Sequence, residues 1–265
     1  MTVPVFYSIS DDFTKYAAVS LNSLVKHANP ETDYTVYFLN QDLSGQHKQD
    51  LSDLGIQNVH VKFFHIDDDI AKLYNTELGN NLFGACTDSS IQYVAKMVKY
   101  IKDVLALDPK KYINSGMLVM NSKAFRDEHF INHFMNLLEG YHFDCIAPDQ
   151  DYLNEIGEGR ILHLDPRWDA MPNENTKPLK NPGLIHYNLF FKPWHFKNVK
   201  YEDYFWQSAK ETKFYNELKA KLNNYTDAER ADDREKLNHI LLKEDKTEQD
   251  PNNWARVKER EAVKL

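Results

Sequence analysis

The N-terminal quarter of the chain alternates between short runs of β-branched and aromatic residues and segments of helical period. This alternation constrains the fold more than any other feature. The runs lie at 3–8, 34–39 and 59–66. Between the first two, residues 14–27 put Tyr16, Val19, Leu21, Leu24 and Val25 at core-facing positions of a helix. Ser10-Asp11-Asp12 stands where a helix cap belongs, and Asn29-Pro30 supplies the break. A polar helical segment, 41–54, ends at Gly55. Strand and helix in this rhythm predict a doubly wound, mostly parallel sheet. Ligands of such sheets gather at the C-terminal ends of the strands, which puts 8–12 and 67–69 on one rim.

The third run ends on Asp67-Asp68-Asp69. Carboxylates delivered by the end of a strand are a common way to hold a divalent cation against a phosphate. Acidic residues are equally the ordinary start of a helix, where they cap it and complement its dipole. Both readings stay open on the local sequence.

Further along, 70–74 reads as a short helix and 82–85 as a strand ending in Cys86-Thr87-Asp88. Segment 91–107 carries Val94, Met97, Val98, Ile101, Val104 and Leu105 at helical spacing, with Asp108-Pro109 as its stop. A buried strand is expected over 112–121, an amphipathic helix over 125–141, a short helix entered at Pro148, and strands at 160–165 and 184–187. From Tyr201 the chain is aromatic and then increasingly charged, and 243–253 reads as solvated or poorly ordered.

The 265 residues suit one large α/β domain or two small ones, and 42% hydrophobic content supports a packed core. A formal net charge of -8 argues against nucleic acid as a partner held by bulk electrostatics. It leaves room for a nucleotide held by a few local donors and a metal. Two cysteines, Cys86 and Cys145, with no Cys/His cluster, argue against structural zinc and a disulfide scaffold. No apolar run has the length of a membrane span and no signal peptide opens the sequence, so the expectation is a cytoplasmic protein.

A set of motifs in fixed order then gives the chain a family likeness. They are Phe6-Tyr7-Ser8-Ile9-Ser10-Asp11-Asp12-Phe13 with Ala18-Val19-Ser20-Leu21-Asn22-Ser23-Leu24, and Asp69-Ile70-Ala71-Lys72-Leu73-Tyr74-Asn75. Gly84-Ala85-Cys86-Thr87-Asp88 and Asn114-Ser115-Gly116-Met117-Leu118-Val119-Met120-Asn121 follow. Asp149-Gln150-Asp151-Tyr152-Leu153-Asn154, then His186-Tyr187 with Lys192-Pro193-Trp194, complete the set. Together they resemble glycosyltransferase family 8, retaining enzymes of the GT-A fold that use UDP-sugar donors, over roughly residues 3 to 200. The resemblance implies a GT-A domain over 1–200 and a helical C-terminal extension over 201–265. It also implies a manganese or magnesium ion, a saccharide acceptor, and at most peripheral membrane contact.

By the same resemblance Ser8, Ile9 and Asp12 hold the nucleotide, with Ser10 where relatives often have a uracil-gripping Asp. Asp88, Asn114 and Ser115 contact the donor sugar or phosphate. Asp149 binds sugar hydroxyls, and Gln150 lies beside the anomeric carbon, where its carbonyl stabilises an oxocarbenium-like centre. His186 completes a metal site with Asp67 and Asp69, and Lys192 neutralises the leaving diphosphate. Leu189 stands where many relatives carry glycine.

The likeness is interrupted after the third strand. Relatives carry there an acceptor-side segment and a further central strand. Here Phe64-His65-Ile66-Asp67 runs directly into the next helix, too short for a parallel crossover. Three functions are therefore weighed. One is a metal-dependent hexosyltransferase, and one is a family member without turnover that binds or scaffolds. The third is a metal-dependent phosphohydrolase, which the carboxylates after a strand would also suit.

Overall fold

The computed structural model describes residues 2–8, 11–39, 44–52, 58–60, 70–190 and 192–262. Within these the chain divides into two compact units, Met1–Thr76 with Arg167–Arg230, and Glu77–Pro166 with Ala231–Leu265.

The first unit carries the expected alternation. Strand β1 (Thr2–Ser8) is followed by a 3-10 turn (Asp11–Phe13) and helix α1 (Thr14–His27). Strand β2 (Asp33–Leu39), helix α2 (Gly45–Ser52), strand β3 (Val59–His60) and helix α3 (Ile70–Tyr74) come next. The strands form a parallel sheet in the order β1-β2-β3, with Thr2 opposite Asp33 and Tyr34 opposite Val59. Helix α1 buries Tyr16, Val19, Leu21 and Leu24, as its spacing predicts, and Val25 is only partly covered. Helices α8 (Glu202–Ala209) and α9 (Tyr215–Asn224) return to this unit. Their Phe205, Trp206, Leu218 and Leu222 join Tyr16, Leu51 and Trp194 in one apolar cluster. Tyr16 stacks on Trp194 at 4.2 Å between ring centroids.

The expected capping role of Asp11 falls elsewhere. Its carboxylate accepts from the backbone N–H of Ser44 (2.7 Å) and meets the ring of His47 (2.8 Å), so it closes the start of α2 rather than α1. Helix α1 is entered instead through the 3-10 turn, with Thr14 Oγ1 donating to the carbonyl of Asp11.

The second unit is built on strands β4 (Phe83–Thr87), β5 (Ile113–Met120) and β6 (Ile161–His163). β4 is central, antiparallel to β5 and parallel to β6. Helices α4 (Ala95–Asp103), α5 (Ser122–Asp127), α6 (Phe130–Tyr141) and α7 (Pro148–Ile156) connect and cover these strands. Helix α10 (Asp227–Gln249) starts at the end of the first unit and runs into the second, and α11 (Trp254–Glu261) belongs wholly to the second. Tyr100, Tyr112, Phe143, Tyr152 and Trp254 form the centre of the core, with Phe143 and Trp254 stacked at 3.7 Å.

Four expectations are corrected here. Helix α4 stops at Asp103, before Asp108-Pro109: Leu105 N–H reaches back five residues to the Tyr100 carbonyl (3.2 Å), Ala106 takes a left-handed conformation (φ 56°), and Leu107 N–H closes on the Ile101 carbonyl at 3.0 Å. The helix expected over 125–141 is two helices. Asn121 caps α5 through Ala124 N–H, and His129 (φ 54°) breaks the run. The break lets Phe125 and Phe130 stack at 4.0 Å, which residues five apart on one straight helix do not do.

Segment 184–187 is not a strand but a single bridge, Ala170 to Ile185, tied to the turn Pro166–Asp169. It ends at once because Asn188 N–H folds back to the His186 carbonyl. Finally, 243–253 is mostly helical and partly buried. Glu244 is 2% exposed and sits between Lys96 (3.6 Å) and Lys99 (3.3 Å) of α4, so this part of the charge run is an ion-paired face rather than a solvated one.

Among the described residues no helix is long and apolar enough to cross a membrane. The junction where the resemblance implies a missing strand falls at 61–69, outside the described residues.

Candidate functional site

In the second unit, five residues named from the sequence are brought into one hydrogen-bonded network. Asp88 follows the end of β4, Asn114 and Ser115 lie on β5, and Asp149 and Gln150 open α7. Asp88 is buried, and one carboxylate oxygen accepts from Asn114 Nδ2 (2.9 Å) and Gln150 Nε2 (3.1 Å). The other accepts from the backbone N–H (2.9 Å) and hydroxyl (2.5 Å) of Ser90. The amides are in turn fixed at their carbonyl ends. Asn114 Oδ1 accepts from Gly116 N–H, and Gln150 Oε1 from Ser115 N–H, both at 2.9 Å. Ser115 Oγ then donates to Asp149 at 2.7 Å, and Asp149 is exposed. The network thus runs from a buried carboxylate to one in solvent. An amide must point its N–H toward the carboxylate and its oxygen toward the backbone N–H, so both orientations are determined.

Helix α7 makes this possible. Pro148 occupies the first turn, where a missing N–H costs nothing. Successive residues are turned by about 100°, so Asp149 faces solvent, Gln150 faces Asp88, and Asp151 faces the core. Asp151 accepts from Tyr112 Oη (2.5 Å), Tyr100 Oη (2.8 Å) and Ala147 N–H (3.1 Å). Burial drives its carboxyl up to about 6, against the lowering effect of the two tyrosine hydroxyls. Asn154, one turn on, holds Ile113 of β5 by both its N–H and its carbonyl.

The remaining named residues lie in the first unit. Ser8 ends β1 and Asp12 is exposed in the turn that follows, while Ile9, Asp67 and Asp69 lie outside the described residues. His186 Nδ1 meets Asp169 Oδ1 at 3.0 Å. Lys192 Nζ donates to the Tyr187 carbonyl, and burial pulls its amine down to about 8. A lysine with a lowered amine value gains from an anionic neighbour, which favours its charged form. Leu189 takes a left-handed φ of 45°, a conformation that favours glycine.

A divalent ion is testable against His186. A carboxylate only accepts, so when the ring is neutral its contact with Asp169 puts the proton on Nδ1 and leaves Nε2 with a lone pair. That is how a metal-ligating histidine is commonly oriented, so this residue fits the role. Among the described residues no three His, Cys, Asp or Glu side chains gather into a metal-sized cluster.

Sequence reasoning missed Ser90 and Asp169. Asp88-Ser89-Ser90 is a short Asx turn that its composition could have flagged. Asp169 sits seventeen positions from His186 with no motif around it.

Residues 64–198, just over half of the chain, match the model of glycosyl transferase family 8. The chain belongs to glycosyltransferase family 8. A putative glycosyltransferase of Haemophilus influenzae is 28% identical over 156 residues, which are 54% of this chain and 46% of that relative. The chain spans about half the length of the first curated relatives it matches. Among solved structures, the apo form of the bifunctional glycosyltransferase WbbM superposes with a TM-score of 0.72 at 20% identity, covering 83% of this chain and 51% of that one. The galactosyltransferase LgtC, solved with donor and acceptor sugar analogues, gives a TM-score of 0.67 at 19% identity over 84% of this chain and 100% of that one. These structural likenesses carry the fold, which is of the GT-A type.

Proposed function

We propose that the protein transfers glucose or galactose from a UDP-sugar to a saccharide acceptor with retention of configuration. The observation that carries this reading is the Asp88–Asn114–Gln150–Ser115–Asp149 network. It orders several polar groups toward an exposed carboxylate, in a chain of the right family. Sugar hydroxyls are both donors and acceptors, and recognising them takes fixed groups of both kinds.

In this reading Asp149 accepts from sugar hydroxyls with the oxygen that Ser115 leaves available. Gln150 Oε1 retains a second lone pair, which stabilises positive charge as the anomeric centre loses its leaving group. Asp88 holds both amides in place and exchanges one of their N–H groups for a sugar hydroxyl when the donor binds. Ser8, Ile9 and Asp12 are assigned to the nucleotide, and Lys192 to the negative charge of the departing diphosphate. Mn²⁺ or Mg²⁺ would be held by His186 with Asp67 and Asp69, and would supply Lewis-acid stabilisation of that diphosphate.

The test is a donor-hydrolysis and transfer assay with Mn²⁺ and UDP-glucose or UDP-galactose. Turnover in the natural protein and its loss in His186→Ala are expected. Absence of UDP binding by calorimetry with Mn²⁺ present would contradict the reading.

A further inference from the structure

The contact between His186 and Asp169 is held from both sides by the backbone. Asp169 closes the turn Pro166–Asp169, and the next residue, Ala170, bridges to Ile185, the residue before His186. Ala170 N–H donates to the Leu184 carbonyl at 2.8 Å, and His186 N–H donates to the Ala170 carbonyl at 3.0 Å. One layer away Trp168 lies against Gly183 so closely that a Cβ there would come within 3.1 Å of the indole. The Asp169 side chain is 0% exposed and that of His186 is 23% exposed. The carboxylate therefore faces inward and the ring reaches outward from it.

We propose that Asp169 is a positioning residue for His186. Its carboxylate holds the imidazole proton on Nδ1 and aims the ring, so that Nε2 presents a lone pair to a divalent ion. The proposal rests on the metal-dependent transferase reading, and it assigns to a residue outside every sequence motif the task of choosing the tautomer. A neutral imidazole has one donor and one acceptor nitrogen, and its neighbours decide which is which. A carboxylate cannot donate, so it decides in one direction only. Partners of this kind typically alter metal affinity by about 10- to 100-fold when removed.

The experiment has two arms on the full chain. The first is long-range ¹H–¹⁵N NMR of the metal-free protein at about pH 9, well above the ordinary imidazole range. The His186 ring is expected to be protonated on Nδ1 in the natural protein, and to shift toward Nε2 protonation in Asp169→Leu. The second is Mn²⁺ titration followed by electron paramagnetic resonance, with affinity expected to fall about 10- to 100-fold in the same variant. Should Asp169→Leu fail to fold, Asp169→Asn keeps the size of the side chain while its amide N–H can face Nδ1 and drive the proton to Nε2. A natural protein already protonated on Nε2, or a folded variant with unchanged tautomer and unchanged Mn²⁺ affinity, overturns the positioning role alone. A natural protein with the proton on Nδ1 but no Mn²⁺ binding contradicts the transferase reading, and the positioning role falls with it.

Discussion

Two buried carboxylates of the second unit, Asp88 and Asp151, invite comparison. Gln150, which donates to Asp88, and Asp151 are neighbours on α7. Both carboxylates are hydrogen-bonded on both oxygens. Their networks lead to different places. The partners of Asp88 are amides and a serine, and through Ser115 the chain of bonds reaches Asp149 at the surface. The donors to Asp151 include two tyrosines set in the core beside Tyr152 and Trp254. Tyr100 Oη also accepts from the backbone N–H of Ile146, so this network closes on the interior. Burial alone therefore does not mark a functional acid. What separates the two is whether the network carries unused hydrogen-bonding capacity outward.

The largest effect expected from this contrast is on stability at the hub. Asp88→Leu strips four donors of their acceptor, and denaturant unfolding is expected to show a loss of about 4 kcal/mol. A loss near zero would mean that the network is not held by Asp88.

The second effect is a pH dependence to which Asp151 contributes. An unfolded aspartate titrates near 3.9, whereas burial raises the folded group to about 6. The folded state thus holds the proton more tightly. The stabilisation this gives is complete below about pH 4 and is lost as pH rises to about 6, in total about 3 kcal/mol. Glu155, raised by burial to about 7 despite its pairing with Lys258, declines in an overlapping window. The difference between the unfolding curves of the natural protein and Asp151→Asn isolates Asp151. A flat difference from pH 4 to 7 would contradict the assignment.

Next in size is Asp149→Ala. Transfer is expected to fall about 30-fold, or about 2 kcal/mol, with stability unchanged to within about 0.5 kcal/mol because the side chain is exposed. Tyr112→Phe should do the reverse. It removes one donor from Asp151 and is expected to cost about 1.5 kcal/mol of stability, while the rate of transfer stays within about twofold. If Tyr112→Phe slowed transfer as much as Asp149→Ala, the division between the two carboxylates would collapse.

Much of this organisation is legible in the sequence where it depends on local pattern. Helices α1 and α3 begin and end where apolar spacing and breakers put them, because 3.6-residue periodicity is a local property. Asp88, Asn114, Ser115, Asp149 and Gln150 were singled out from motifs, and the structure brings them together. The missed features depend on positions distant in the chain or on backbone geometry. The split at His129 needs a left-handed residue that is not glycine. The opposite fates of Asp149 and Asp151 depend on how α7 is rotated against β5, which adjacent acidic letters do not encode. The burial of Glu244 depends on two lysines of α4 about 150 positions earlier. Asp169 reaches His186 through a one-residue bridge, too short to leave a strand signal.

The most direct test of the central claim is a crystal soaked with Mn²⁺ and a non-hydrolysable UDP-hexose. Hexose density within hydrogen-bonding distance of Asn114, Ser115 and Asp149 is the predicted result. An ordered nucleotide whose hexose lies away from these residues, with the Asp88 network undisturbed and solvated, would contradict it.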